Sequence, residues 1–257
     1  MSAFTENKGV FKLSSMKYLL MLCMLINSTL QAQQIVNYVF VGDKGVTTNV
    51  DEANSFIIVK KYGERFQRLD YKINAPLVKE RNYSDSSLTL LEGSYNFYND
   101  DGSLIETGNY KNNLKDGSWY HFDKQNNLIS EKKFQEGILL NTISDFSKKK
   151  DTAKEVNNRN EREAVYRKGN NDWVKYLRTN LNGKVVLQSI KGGIVYVGFT
   201  IDSLGKILNI YIKKSVEYVL DEEAKRVIEK SSDWNPAEQA GKKVKAYRIQ
   251  PITFVKS

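Results

Sequence analysis

The chain has 257 residues, 40% hydrophobic and 27% charged, a balance that supports a packed core and excludes both a disordered polyelectrolyte and a polytopic membrane protein. One cysteine, Cys23, and one histidine, His121, exclude an intrachain disulfide and most thiolate or histidine metal and triad chemistry. The formal net charge of +9 points instead toward an acidic partner or an anionic surface.

The first apolar run, residues 18–26, follows Lys17 and leads into Asn27-Ser28-Thr29-Leu30-Gln31-Ala32-Gln33. A membrane span needs about 20 apolar residues and a secretory core about 7 to 15. Residues 1–32 therefore read as a signal peptide cleaved after Ala32, with Met16 as an alternative start. The expected location is the periplasm or cell envelope; an uncleaved leader would hold the chain at the inner membrane instead. Leu22 before Cys23 is too large for a lipoprotein cleavage site.

Residues 33–140 read as β-rich. Phe56-Ile57-Ile58-Val59 and residues 66–73 are strand-like runs bounded by Gly63 and Asn74-Ala75-Pro76. At an offset of 24 residues the chain repeats itself. Gly93, Ser94, Leu104 and Ile105 meet Gly117, Ser118, Leu128 and Ile129; Tyr95, Tyr98 and Tyr110 meet Trp119, Phe122 and Phe134. Asp101-Gly102 falls on Gln125-Asn126, and Asn112-Asn113 and Asp116-Gly117 supply further turn chemistry. The copies, 93–116 and 117–140, are too short to bury a face alone and must stack. Their aromatics are expected to pack across strands, and His121, between Tyr120 and Phe122, to lie on a strand surface. The pattern resembles the variant MORN repeats of bacterial exported proteins, which implies a β-hairpin ribbon used as scaffold or contact surface.

Residues 141–160, with Lys148-Lys149-Lys150 and Asn157-Asn158, read as a linker. Residues 161–257 read as helix, strand, strand, helix, strand. Trp173, Val174, Tyr176, Leu177 and Leu181 recur at helical spacing until Asn182-Gly183. Val195, Val197, Phe199 and Ile201 alternate with polar and small residues, and Ser203-Leu204-Gly205-Lys206 turns the chain into residues 207–213. Leu220, Ala224, Val227 and Ile228 share a helical face. Asp221-Glu222-Glu223 in that helix's first turn answers the helix dipole, with Glu222 able to pair with Arg226. Trp234-Asn235-Pro236 closes the helix. A last strand, residues 244–255, is expected with Val244, Ala246, Ile252 and Phe254 on one face, and Pro251 favours an edge position. The expected fold class is α+β: a hairpin ribbon, then a small domain whose three-stranded antiparallel sheet carries its helices on one face. Nothing in the pattern fixes how the two modules pack.

The ordered set Gly193, Val195, Val197, Phe199, Ile201-Asp202, Gly205-Lys206-Ile207, Leu220-Asp221-Glu222-Glu223-Ala224, Trp234-Asn235-Pro236 and Pro251-Ile252 with Phe254 resembles the TonB C-terminal domain. The resemblance implies TonB-linked transport in a Gram-negative envelope, with an extended segment of an outer-membrane receptor bound by strand pairing. The binding edge it implies is Val244, Lys245, Ala246, Tyr247, Arg248, Ile249 and Gln250, backbone groups giving affinity and side chains selectivity. Lys243 and Lys245 equally suit a guard against aggregation. Transducers of that family carry a membrane helix and a proline-rich spacer, whereas this chain has the nine-residue leader core and three prolines. A structural envelope adaptor that transmits no energy is therefore the alternative.

Charge divides unevenly. Without residues 1–32 the chain keeps +7; residues 33–160 hold 18 basic and 18 acidic groups, and residues 161–257 hold 18 and 11. Besides a receptor peptide or envelope protein, an anionic envelope surface is a candidate partner, and pairing of the module's own edges would give a homodimer. No nucleic acid, catalytic residue, cofactor or metal is expected.

Overall fold

The computed structural model describes residues 34–144 and 162–256; the leader and residues 145–160 of the expected linker lie outside them. The first body is a ten-stranded antiparallel sheet: β1 (Gln34–Gly42), β2 (Gly45–Thr47), β3 (Ala53–Tyr62), β4 (Arg65–Lys72), β5 (Leu77–Tyr83), β6 (Leu91–Tyr98), β7 (Leu104–Lys111), β8 (Leu114–Phe122), β9 (Leu128–Gln135) and β10 (Ile138–Ile143). Beyond the β1–β2 end its spatial order follows the chain, from β3 to β10. Short turns dictate this. Asn112-Asn113 has φ values of 50° and 67°, and Glu136-Gly137 has 49° and 82°, the twist that joins antiparallel neighbours through two residues. The 24-residue repeat maps onto the hairpins β6–β7 and β8–β9. Asp116-Gly117 is not a turn between copies; it lies inside β8, beside an irregularity in the pairing with β7.

Period-two alternation gives the sheet two different faces. On one, Tyr95, Tyr110, Trp119 and Phe134 pack ring on ring, with centroids 5.0 to 6.4 Å apart, and Lys115 caps Trp119 at 3.8 Å. His121 also lies on β8, 3.3 Å from Glu106, and burial together with the Lys132 and Lys115 ammonium groups lowers its pKa against the raising effect of Glu106. The opposite face carries Phe56, Ile58, Leu69, Tyr71, Leu77, Tyr98 and Leu104, all buried in a core shared with the C-terminal module.

That module contains β11 (Val165–Tyr166), α1 (Asn170–Asn180), β12 (Gly193–Ile201), β13 (Ile207–Lys214), α2 (Tyr218–Glu229), β14 (Trp234–Asn235), β15 (Ala237–Gln239), β16 (Lys242–Val244) and β17 (Ala246–Phe254). Its main sheet has the order β13-β12-β17. Helix α2 packs on that sheet through Leu220, Ala224, Val227 and Ile228, and it lies against the ten-stranded sheet on its other side. Only Glu229 of its twelve residues is exposed. Trp234-Asn235 does more than end the helix: as β14 it pairs with β11, and the Trp234 ring packs against Tyr166, Trp173 and Phe199.

Burying α2 on both sides forces its acidic first turn to find partners. Glu222 pairs with Lys60 of β3, and Arg226 pairs with Glu223, three residues earlier. The expected Glu222–Arg226 pair is absent because Glu222 faces the ten-stranded sheet. Burial works to raise the Glu222 pKa, yet the Lys60 and Lys225 ammonium groups bring it below the ordinary value. Asp221 receives hydrogen bonds from the Tyr71 hydroxyl (3.1 Å), the Val216 N–H (3.0 Å) and the Ser215 hydroxyl, whose oxygen in turn accepts the Leu77 N–H at 2.8 Å. Further contacts complete the seam. Tyr98 Oη donates to the Ile212 carbonyl at 2.9 Å, the Ser215 N–H donates to the Gly102 carbonyl at 2.8 Å, and Ser103 bridges to Lys214. Gly102 has φ 83°, and a Cβ there would lie 2.1 Å from the Ser215 carbonyl oxygen, so this turn admits glycine alone.

Desolvation pushes the Asp221 pKa up from 3.8 to about 7, against the lowering effect of its three donors. A raised carboxyl pKa contributes stability that is fully present below the unfolded value and lost as pH rises through the folded one. Urea unfolding of the wild type minus that of Asp221→Asn should therefore show a relative loss of wild-type stability from about pH 4 to pH 7. Asp221→Ala, which strands three buried donors, is expected to cost about 3 kcal/mol at neutral pH.

Candidate strand-addition edge

The centre of the C-terminal sheet is β12, whose Val195, Val197, Phe199 and Ile201 are buried beneath α2. Its two neighbours differ. On one side β13 carries Lys214, which bridges to Ser103 of the other body. On the other, β17 pairs with β12 in unbroken register from Gly193↔Phe254 to Ile201↔Ala246. No strand among the described residues pairs with the far side of β17. The outer backbone row of β17 is thus available to another extended chain.

Five of the seven residues expected at this edge, Ala246, Tyr247, Arg248, Ile249 and Gln250, lie on β17. The expected continuous strand from Val244 breaks at Lys245. Val244 ends β16, which pairs with β15 across the Ala240-Gly241 turn (Ala237↔Val244), so the chain changes partner before β17 begins.

Alternation sets the chemistry of the two faces. Tyr247 and Ile249 project from the outer face and are 75% and 54% exposed. Ile249 lies opposite Gly198 of β12, which lies opposite Tyr211 of β13. A Cβ at Gly198 would come within 2.3 Å of the Tyr211 ring, so glycine lets that ring lie flat across the sheet. Burial there raises the Tyr211 pKa. Lys245 places its ammonium 5.2 Å from the Tyr247 ring centroid.

On the inner face the side chains are tied down. Gln250 accepts a hydrogen bond from Trp173 Nε1 of α1 at 2.7 Å, and Arg248 donates to the Ala164 carbonyl at 2.6 Å with Glu163 at 3.6 Å. Trp173 belongs to the aromatic cluster of Tyr166, Tyr176 and Trp234. Helix α1 and the segment before it therefore fix the rotamers of β17, a link between residues 77 and 84 positions apart that local pattern could not show. Among the described residues no group of three His, Cys, Asp or Glu side chains could hold a metal ion, and no helix is long and apolar enough to cross a membrane.

A three-stranded antiparallel sheet that carries one helix on its inner face, with no described strand beyond β17, makes this a small α+β unit. Residues 182–255 match the family model of the Gram-negative bacterial TonB protein C-terminal domain. The match spans β12, β13, α2 and β17; it leaves α1 and the ten-stranded sheet outside. That family is an envelope-associated, non-enzymatic interaction domain whose partners include outer-membrane proteins. No curated protein and no solved structure matches the chain.

Gly198→Ala is expected to displace Tyr211 from β12 at a cost of about 1 kcal/mol. Hydroxyl-radical footprinting should then show Tyr211 more reactive than in the wild type, with the β12–β17 amides still protected from exchange.

Proposed function

We propose that this is an exported envelope protein that binds an extended segment of an outer-membrane receptor by strand addition along β17, in TonB-linked transport. The observation that carries the reading is the unpaired side of β17, which lies within the interval matching the TonB C-terminal family. An added strand gains main-chain hydrogen bonds from almost any sequence, and pockets for its alternate side chains set preference. Tyr247 and Ile249 would receive its outer side chains; Arg248 and Gln250, held by Ala164 and Trp173, would meet its inner ones. Val244 and Lys245 form the approach to the edge. The surplus positive charge of residues 161–257 favours an acidic segment and a faster encounter at low salt.

Titration of the full chain with a synthetic peptide from the N-terminal segment of an outer-membrane receptor tests this. Binding should slow amide exchange at 246–250, and Tyr247→Ala or Ile249→Ala should each weaken it by about fivefold, the value of roughly 1 kcal/mol for a cross-strand pair. Absence of binding at millimolar peptide overturns the reading.

A second reading, a structural adaptor that transmits no energy, is favoured by the burial of α2 under the ten-stranded sheet, which ties the module to a broad scaffold. Sequencing the N-terminus from cell fractions separates the two. An intact leader in the inner membrane supports transduction, and a soluble chain beginning near Gln33 supports the adaptor.

A further inference from the structure

The two main sheets end in four edge strands, which differ in what they expose. Strand β2 is three residues long and covers only Phe40, Val41 and Gly42 of β1, whose remaining stretch keeps Ile35, Tyr38 and Val39 half-buried. Strand β13 is abutted by the Ser103–Lys214 bridge, and β17, the edge proposed above for a receptor segment, contains Arg248 and Pro251. Strand β10 is different. Its sequence, Ile138-Leu139-Leu140-Asn141-Thr142-Ile143, has no charge and no proline, and all six residues are exposed. Ile138, Leu139 and Leu140 are 67%, 51% and 53% exposed, and Leu114, beside Gly137, extends the apolar surface. A bulge at Leu140 places two leucines in succession opposite a single step of β9. Such an edge is a template for another strand.

Among the described residues no strand pairs with the outer side of β10. Residues 145–161 hold nine charged side chains and only Phe146, Ala153 and Val156 as apolar ones. The leader's apolar run, if retained, ends at Ile26, eight residues before Gln34, which extends at most about 28 Å. Eight inter-strand steps separate β1 from β10, roughly 38 Å at about 4.8 Å each.

Charge then selects the occupant. Residues 33–160 carry equal numbers of basic and acidic groups, whereas the C-terminal module holds the whole surplus. Two copies meeting through β17 would bring together like-charged modules; two copies meeting through β10 would not, and no register of β10 on itself sets charge against charge. We infer that β10 is a self-association edge: a second copy of this chain pairs with it antiparallel about a two-fold axis, joining two ten-stranded sheets. Six residues bury far less than the about 1,600 Å² of a standard stable complex, so the dimer forms reversibly at high micromolar protein. Each dimer would present two β17 edges, independently of what those edges bind.

Sedimentation velocity of the full chain without its leader, from low micromolar to millimolar concentration, should show a monomer–dimer equilibrium. Leu139→Lys should weaken it at least tenfold, whereas Ile249→Lys on β17 should leave it unchanged. Both replaced side chains are solvent-exposed, so circular dichroism and melting should match the wild type. Hydrogen exchange of the wild type gives a measure free of substitution: amides 138–143 should gain protection as concentration rises, and those of β17 should not. A wild type that stays monomeric at millimolar concentration, association that survives Leu139→Lys or is lost in Ile249→Lys, or concentration-independent exchange at β10 would each overturn the inference.

Discussion

The fold depends on the burial of a charged helix from both sides. Helix α2 lends its apolar stripe to β12 and β13, as an amphipathic helix on a sheet must. Its other side carries Asp221, Glu222 and Lys225, which would face water if the C-terminal module stood alone. The ten-stranded sheet covers them and answers each in kind. Tyr71 and the Ser215–Leu77 link serve Asp221, and Lys60 serves Glu222. Glu80 lies close enough to Lys225 to help hold its pKa above the ordinary value despite burial. Glu80 is itself held by Gln67 and Asn96, so a polar row runs across β4, β5 and β6 beneath the helix. A polar face buried in this way is stable only while every member keeps its partner, which makes the seam specific as well as strong.

Local chemistry in the sequence was legible wherever it sufficed. Asn112-Asn113 fixed a turn by its tolerance of positive φ; the alternation of Val195 to Ile201 fixed β12; the spacing of Leu220, Ala224, Val227 and Ile228 fixed the buried stripe of α2. What local pattern could not show are pairings between distant residues. Glu222 has an arginine four residues away, the usual helical partner, and bonds instead to a lysine 162 positions earlier. The candidate edge was legible in the same uneven way. Pro251 correctly marked an edge strand, but the break at Lys245 follows from the β15–β16 hairpin, whose two three-residue strands are too short to show an alternation. The roles of Trp173 and Ala164 behind β17 had no local signal at all.

The two faces of the C-terminal sheet divide its tasks. The inner face is committed to the core and, through α1, to holding Arg248 and Gln250 in place. The outer face is left to Tyr247, Ile249 and Tyr211, apolar groups that a soluble domain tolerates singly but seldom in a row. Because the helix side is occupied by the ten-stranded sheet, the outer face and the β17 edge are the parts of the module's main sheet that the described residues leave uncovered.

The seam beneath α2 also changes what counts as a unit in this protein. Buried hydrogen bonds and a continuous core, rather than the covalent path between Ser144 and Arg162, hold the two sheets in place. Chains cut anywhere along that path would remain a non-covalent pair with the same architecture. Expressed separately, the two halves should behave as complementary fragments, each a folding partner for the other, and neither a self-sufficient domain that could be transplanted.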